Sequence, residues 1–420
     1  MTKLCRLLRH PLSRIGPGLI TGVADDDPSG IATYSQAGAA YGLNMLWTMP
    51  VAYPLMSTVQ TMCARLGRVT GKGLAANIKA AFPAPILMTL VFALLMANVL
   101  NIAADIAAMG EAAELVSGID RHVMTAGMVA LTLLLQVFVP YHRYVYVLKW
   151  LTASLLAYFF VLFTVHVPWT EALKRTVIPH LKMNGTTAAM IVAIFGTTIS
   201  PYLFFWQASE EVEDMRDTPP LVQAPGLADV ELRRIATDTW SGMLYSDLTS
   251  YFIILATAVT LHAAGITQID TAAQAASALG PLAGSAASLV FAVGLLGVGM
   301  IGVPVLAGSA GYALCETLGW QWGLERRARD ARAFYTIIAV SILLALLLQY
   351  LPIAPMRALF WSAVINGIVA VPLLVVLILL VTSRAIMGDF TARPVVVCAG
   401  WMTVAIMGLS AAVTIASIFR

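Results

Sequence analysis

Ile15-Gly16-Pro17-Gly18-Leu19-Ile20-Thr21-Gly22-Val23-Ala24-Asp25-Asp26-Asp27-Pro28-Ser29-Gly30-Ile31-Ala32-Thr33-Tyr34-Ser35-Gln36-Ala37-Gly38-Ala39-Ala40 is an apolar stretch with three adjacent aspartates at its centre. It is long enough to cross a bilayer. One carboxylate at bilayer depth costs roughly 2.5–3.5 kcal/mol on insertion scales, and such residues mark ion or substrate paths. Pro28 removes a backbone donor, and Ser29-Gly30 loosen the chain behind it. The stretch therefore reads as two half-helices around a polar gap, the arrangement by which transporters present carbonyls and carboxylates to an ion.

Apolar runs recur along the remaining chain. Of the 420 residues 59% are hydrophobic and 11% charged, and the mean hydropathy is +0.83. A soluble domain carries about 25% charged residues. The composition implies an all-α polytopic membrane protein without a separate soluble domain. Spans are expected near 15–41 (broken), 43–64, 84–110, 123–140, 144–167, 187–208 (broken), 239–262, 285–317, 334–351, 357–382 and 395–418. Most of the 25 Lys and Arg residues fall on one side of this arrangement. That side is read as cytoplasmic and as holding the N-terminus. The basic start (Lys3, Arg6, Arg9, Arg14) is a lead-in rather than a cleaved signal. The expected location is a bacterial inner membrane, with the lipid bilayer as partner and no nucleic acid.

The sixth span carries a second gap, Gly196-Thr197-Thr198-Ile199-Ser200-Pro201. Hydroxyls and water can satisfy the backbone groups that Pro201 frees. The two gaps lie five spans apart and run in opposite directions. The chain is accordingly divided into residues 1–14, a first inverted repeat at 15–168, a second at 187–382 and an eleventh helix at 395–418, with an ion site between the gaps.

At both gaps the chain resembles the NRAMP divalent-metal transporters. The resemblance extends to Gly16-Pro17-Gly18, to Ala64-Arg65-Leu66-Gly67 with Val69-Thr70-Gly71-Lys72 and Leu74-Ala75, and to Asp105 in the third span. It implies a LeuT-like fold and a monomer. The family binds a transition metal through Asp-Pro-Gly-Asn in the first span, with a carbonyl and a methionine sulfur in the sixth. Here the first motif reads Asp27-Pro28-Ser29-Gly30, and the sixth-span positions are Thr197 and Ser200. The run Asp25–Gly30, taken with Ser200-Pro201-Tyr202-Leu203-Phe204-Phe205-Trp206-Gln207-Ala208-Ser209-Glu210-Glu211-Val212-Glu213, is similar to the NRAMP-related magnesium transporter branch.

Losing the sulfur and the asparagine suits a hard ion. Thioethers favour soft metals, whereas carboxylate, carbonyl, hydroxyl and water favour Mg2+, Ca2+ and Mn2+. Mg2+ keeps several waters and takes one or two carboxylates. Asp27 is the expected ligand, with capping of the second half-helix as the alternative. Thr197 is expected to offer its carbonyl. Gly30 is expected to leave space, and Ser200 and Gly30 to shape the cavity or touch ion-bound water. Asp25 and Asp26 are read as facing an inner vestibule or as solvated there. Asp105 is a candidate for the ion path, and Asp247 and Asn366 either line that path or make inter-helix hydrogen bonds. Glu210 and Glu211 belong to an acidic run read either as a solvated loop or as a cation-collecting inner mouth.

The family's proton route uses a histidine and acidic residues. Tyr202 and Gln207 occupy the sixth-span positions, and Ala108 replaces the third-span glutamate. No histidine falls in a gap, which predicts weak or absent proton coupling. Asp105 is the residue able to overturn this. The cysteines Cys5, Cys63, Cys315 and Cys398 form no metal-ligand spacing. No nucleophile–base pair is apparent, so neither an enzyme nor a cofactor is expected. The predicted function is Mg2+ and Mn2+ transport by alternating access. The rivals are a proton-coupled Mn2+/Fe2+ importer and, less favoured, a Na+-coupled amino-acid carrier, whose carboxylate substrate three aspartates would repel.

Overall fold

The computed structural model describes residues 17–139, 153–180, 184–215, 218–348 and 353–418. Among these all regular secondary structure is helical, with twelve principal helices. They are α1 (Pro17–Asp25), α2 (Pro28–Tyr41), α3 (Thr48–Thr70), α4 (Ala84–Ser117), α5 (Arg121–Phe138), α6 (Gly185–Thr198), α7 (Pro201–Asp214), α8 (Ala228–Thr257), α9 (Ala287–Leu318), α10 (Arg332–Leu348), α11 (Pro355–Thr382) and α12 (Pro394–Ile418). Among the described residues, seven helical stretches are long and apolar enough to cross a membrane: Ala84–Ser117, Arg121–Phe138, Gly185–Asp214, Pro225–His262, Gly280–Leu318, Pro355–Thr382 and Pro394–Ser417. This is a multi-pass membrane protein.

The two expected gaps are present. α1 stops at Asp25 and α2 resumes at Pro28; α6 stops at Thr198 and α7 resumes at Pro201. Each restart places proline at the first helical position, where its missing N–H has no helical partner to lose. Both gaps are narrower than the sequence suggests. Ser29 and Gly30 already belong to α2, and Gly196 and Thr197 to α6. Gly196 serves packing, because a Cβ there would lie 2.2 Å from the carbonyl oxygen of Ala363 on α11.

The second expected span, 43–64, is displaced. A 3-10 turn occupies Gly42–Met45, and α3 runs from Thr48 to a left-handed cap at Gly71 (φ 67°). Residues 65–70, beyond the end of the expected span, are helical and carry the buried Arg68 inward. Of the fifth expected span, residues 144–152 lie outside the described residues. The remainder forms a 3-10 turn at Ala153–Leu156 and a short helix at Ala157–Val161.

The core is built around the broken helices. α1 and α2 lie against α8, α6 lies against α11 and α12, and α7 packs on α3 and α9. α4 crosses behind the gaps against α9 and α11. The glycines of α9 make the close approach possible. A Cβ on Gly302 would meet Asp27 Cβ at 3.0 Å, and one on Gly308 would meet the Trp206 ring at 2.7 Å.

Candidate metal centre

In an unbroken helix the carbonyl of residue i accepts from the N–H of residue i+4. Pro28 cannot donate to Ala24, and Pro201 cannot donate to Thr197. The two prolines thus free one carbonyl on each side of the site. The Ala24 carbonyl faces the Tyr202 hydroxyl at 3.1 Å. The Thr197 carbonyl accepts from the Ser200 hydroxyl at 2.7 Å, and the same hydroxyl lies 2.8 Å from the Gly196 carbonyl. Ser200 therefore turns back to close the end of α6. A carbonyl has two lone pairs, so Thr197 keeps one acceptor site.

Asp27 sits in the first gap, 1% exposed, in the extended conformation of a helix cap (φ −64°, ψ 171°). The capping alternative is realised, but only by one oxygen. Oδ1 accepts from the Gly30 N–H at 2.9 Å and from the Ser29 hydroxyl at 2.6 Å. Oδ2 faces the Asn101 amide at 3.0 Å and the Tyr202 hydroxyl at 3.2 Å. The side chain is thereby tied to α2, α4 and α7 together. The Ser29 hydroxyl also lies 3.3 Å from that of Thr197, linking the two gaps directly.

Asp105 stands one turn after Asn101 on α4 and is fully buried. Neither of its oxygens receives a hydrogen bond; its carboxylate faces the Ser29 N–H and the charge of Asp27. Asn101 itself is not among the residues singled out from the sequence. Its signal is an asparagine four residues before an aspartate in an apolar span, which puts both on one helix face.

Gly30 does not leave open space. A Cβ there would meet the Thr197 hydroxyl and the Tyr34 ring at 3.3 Å and the Asp25 carbonyl at 3.4 Å. The volume of the missing side chain is filled by neighbours. Among the described residues, no group of three or more His, Cys, Asp or Glu side chains is arranged to hold an ion. A cation here would rest on Asp27 with carbonyl, amide and water oxygens.

Asp25 and Asp26 are not solvated. They are 0% and 1% exposed and lie against α8, where the Ser246 hydroxyl is 2.6 Å from Asp25 Oδ2 and 3.0 Å from Asp26 Oδ1. Ser250 adds a longer contact to Asp26 at 3.3 Å. These contacts fix α1 to α8. Asp247 is buried beside Ser246 with its Oδ1 unbonded, and Asn366 is buried on α11 with neither side-chain atom bonded. No hydrogen bond joins either residue to Asp27.

The solvated-loop reading of the acidic run is overturned. α7 continues through Asp214, and Glu210 and Glu211 are 4% and 0% exposed. Glu210 accepts from the Tyr312 hydroxyl at 2.9 Å, and Glu211 pairs with Arg234 at 2.6 Å. Arg234 also reaches Glu231 at 3.3 Å, which in turn pairs with Arg68 at 3.1 Å. Gln207 accepts from the Thr21 hydroxyl, and the Gly18 N–H donates to Asp238 at 2.7 Å. Together these contacts seal the α1 end of the bundle. At the other end a cavity of about 740 Å³ opens between α2, α6, α11 and α12, lined by Gln36, Tyr41, Met190, Arg357 and Trp361.

The family described as Natural resistance-associated macrophage protein-like (Nramp) matches residues 18–417. The divalent metal cation transporter MntH of Klebsiella pneumoniae (strain 342) is 26% identical over 94% of this chain and 92% of its own length. The crystal structure of the Eremococcus coleocola manganese transporter superposes with a TM-score of 0.72 at 18% identity, covering 96% of this chain and 86% of that one. Mhp1, a nucleobase-cation-symport-1 family transporter in a closed conformation, gives a TM-score of 0.50 at 15% identity, covering 95% and 92% of the two chains. The fold is LeuT-like.

Proposed function

The chain belongs to the Nramp family, and from that premise we propose that it is a divalent-cation transporter carrying Mg2+ and Mn2+ across a bacterial inner membrane by alternating access. The observation that carries the reading is Asp27. It is one buried carboxylate at the junction of two broken helices, beside carbonyls that Pro28 and Pro201 free, with no sulfur ligand in either gap. Oxygen donors of this kind favour hard divalent ions. Few protein ligands leave most of the coordination sphere to water, which suits Mg2+. The contacts that tie α1 to α7 and α8 are read as the closed side of an alternating-access cycle. Residues 15–168 and 187–382 are read as its two inverted repeats, each opening on a proline-broken helix, and the N-terminus is read as cytoplasmic.

We also propose weak or absent proton coupling. Neither gap contains a histidine, and the ring of His262 contacts the Ala39 carbonyl at the far end of α2. Coupling is not required for accumulation. Two charges moving down 100 mV gain roughly 4.6 kcal/mol. The test is uptake of Mg2+, Mn2+ and Ca2+ into proteoliposomes holding a pH dye, with wild type and Asp27→Ala. Transport unchanged in Asp27→Ala removes the site. Acidification in fixed proportion to Mn2+ entry removes the uncoupled reading. Uptake of Fe2+ without Mg2+ favours the ordinary proton-coupled importer instead.

A further inference from the structure

Beside Asp27 the buried Asn101 Oδ1 has no donor, and the Asp105 carboxylate is faced only by the Ser29 N–H. Asn101 and Asp105 are one turn apart on α4, and both are 0% exposed. An unsatisfied buried acceptor costs about 1–3 kcal/mol, so it needs a compensating partner. The orientation of the Asn101 amide follows from chemistry. An ionised carboxylate only accepts, so at 3.0 Å the group facing Asp27 Oδ2 must be the NH2. The amide oxygen is then the end without a partner.

We propose that Asn101 serves the hydrated divalent cation in two ways: its amide oxygen faces the ion's shell, and its NH2 fixes Asp27. It thus restores from α4 the amide missing at Gly30. This rests on the transport reading above and assigns a specificity-determining residue to the same site. Water bound to a divalent cation is a strong donor, and the pocket around Asp27 is short of donors. An amide oxygen is a hard ligand that suits Mg2+ and Mn2+ better than soft metals.

Two other buried amides do not meet the same conditions. Asn98 spends its NH2 on the Leu306 carbonyl and the Ser309 hydroxyl of α9. Asn366 has no bond to either gap. Among the described residues, only Asn101 combines a bond to Asp27 with an unbonded buried amide oxygen.

The test compares Asn101→Leu, which removes both polar atoms, with Asn101→Asp, which keeps an oxygen at nearly the same size. Mn2+ binding is measured by calorimetry on purified protein, and Mn2+ and Mg2+ uptake in liposomes. Loss of an oriented partner in an ion site typically costs 10- to 100-fold in affinity. Asn101→Leu is expected to raise the Mn2+ Kd and the uptake KM by about tenfold with maximal uptake retained. Asn101→Asp keeps an oxygen for the ion's shell but loses the NH2 that fixes Asp27, so it is expected to weaken binding less than Asn101→Leu. Unchanged binding in Asn101→Leu overturns the proposal, as does equal weakening in both variants, which would show that the amide oxygen does not serve the ion. Asp27→Ala in the same series separates the two levels. If it abolishes binding while Asn101→Leu does not change it, Asn101 fails and the transport reading stands. If Asp27→Ala binds like wild type, the transport reading itself fails.

Discussion

The Tyr202 hydroxyl lies 3.2 Å from Oδ2 of Asp27 and 3.1 Å from the carbonyl oxygen of Ala24. One side chain of α7 thus touches both the carboxylate and a freed carbonyl of the first broken helix, adding to the Ser29–Thr197 contact that joins the two. Tyr202→Phe keeps the ring and removes only the donor. A buried acceptor stripped of its partner costs about 1–3 kcal/mol. Tyr202→Phe is expected to lower the thermal midpoint in detergent while Mn2+ uptake continues. An unchanged midpoint would mean that the hydroxyl does not hold the gaps together.

The α1 end is closed by backbone approach as well as by side chains. A Cβ on Gly22 would lie 2.2 Å from the carbonyl oxygen of Gly242 on α8. Gly22→Leu is therefore expected to hold α1 away from α8. In a background with the native cysteines replaced by serine, Thr239→Cys reports on this. Thr239 is fully buried in the sealed arrangement. Its modification by a water-soluble thiol reagent should accelerate in Gly22→Leu and stay slow with Gly22 intact. Equal rates would show that α1 remains seated.

Glu211 is fully buried, and its charged partner is Arg234 at 2.6 Å. Removing one member of a buried pair leaves an uncompensated charge and costs about 3–5 kcal/mol, whereas replacing both with apolar residues is often close to neutral. Arg234→Leu is expected to destabilise the protein strongly, and Arg234→Leu with Glu211→Leu to recover most of the loss. Denaturation midpoints of the three proteins test this. A double variant no better than the single one would show that the pair is not the source.

Gly30→Asn restores the family's asparagine but not its surroundings. The Cβ alone would stand 3.3 Å from the Thr197 hydroxyl and the Tyr34 ring. Uptake of both ions should fall, with no gain for Mn2+ over Mg2+. A selective gain for Mn2+ would mean that the pocket still has room for the side chain.

The residues that break helices were the most legible. Proline after an acidic run, and proline after a glycine and hydroxyl run, each mark a chain that cannot keep its hydrogen-bond ladder, and both interruptions are present. The place of Asp27 in the first gap could be read for the same reason. The path of the neighbouring carboxylates could not. Asp25 and Asp26 are adjacent in sequence to Asp27, yet what they touch is decided by Ser246 and Ser250, more than two hundred residues away. Glu210 and Glu211 look like a solvated acidic run until Tyr312 and Arg234 are brought to them. Arg68 looks like a loop residue until α3 extends past it and Glu231 meets it. Asn101 was hidden because an amide in an apolar span has several structural uses, and only its distance to Asp27 separates them. Local chain chemistry is written in order along the sequence; partnership across the bundle is not.

The shortage of donors around Asn101 and Asp105 bears on the timing of the transport cycle. A carrier that turns over empty must move uncompensated acceptors through a rearrangement of its core, whereas an occupied carrier moves them neutralised. The unoccupied return is then the slow leg. Exchange of one ion for another across the bilayer should outpace net filling, and labelled Mn2+ inside a vesicle should leave faster when unlabelled ion is supplied outside.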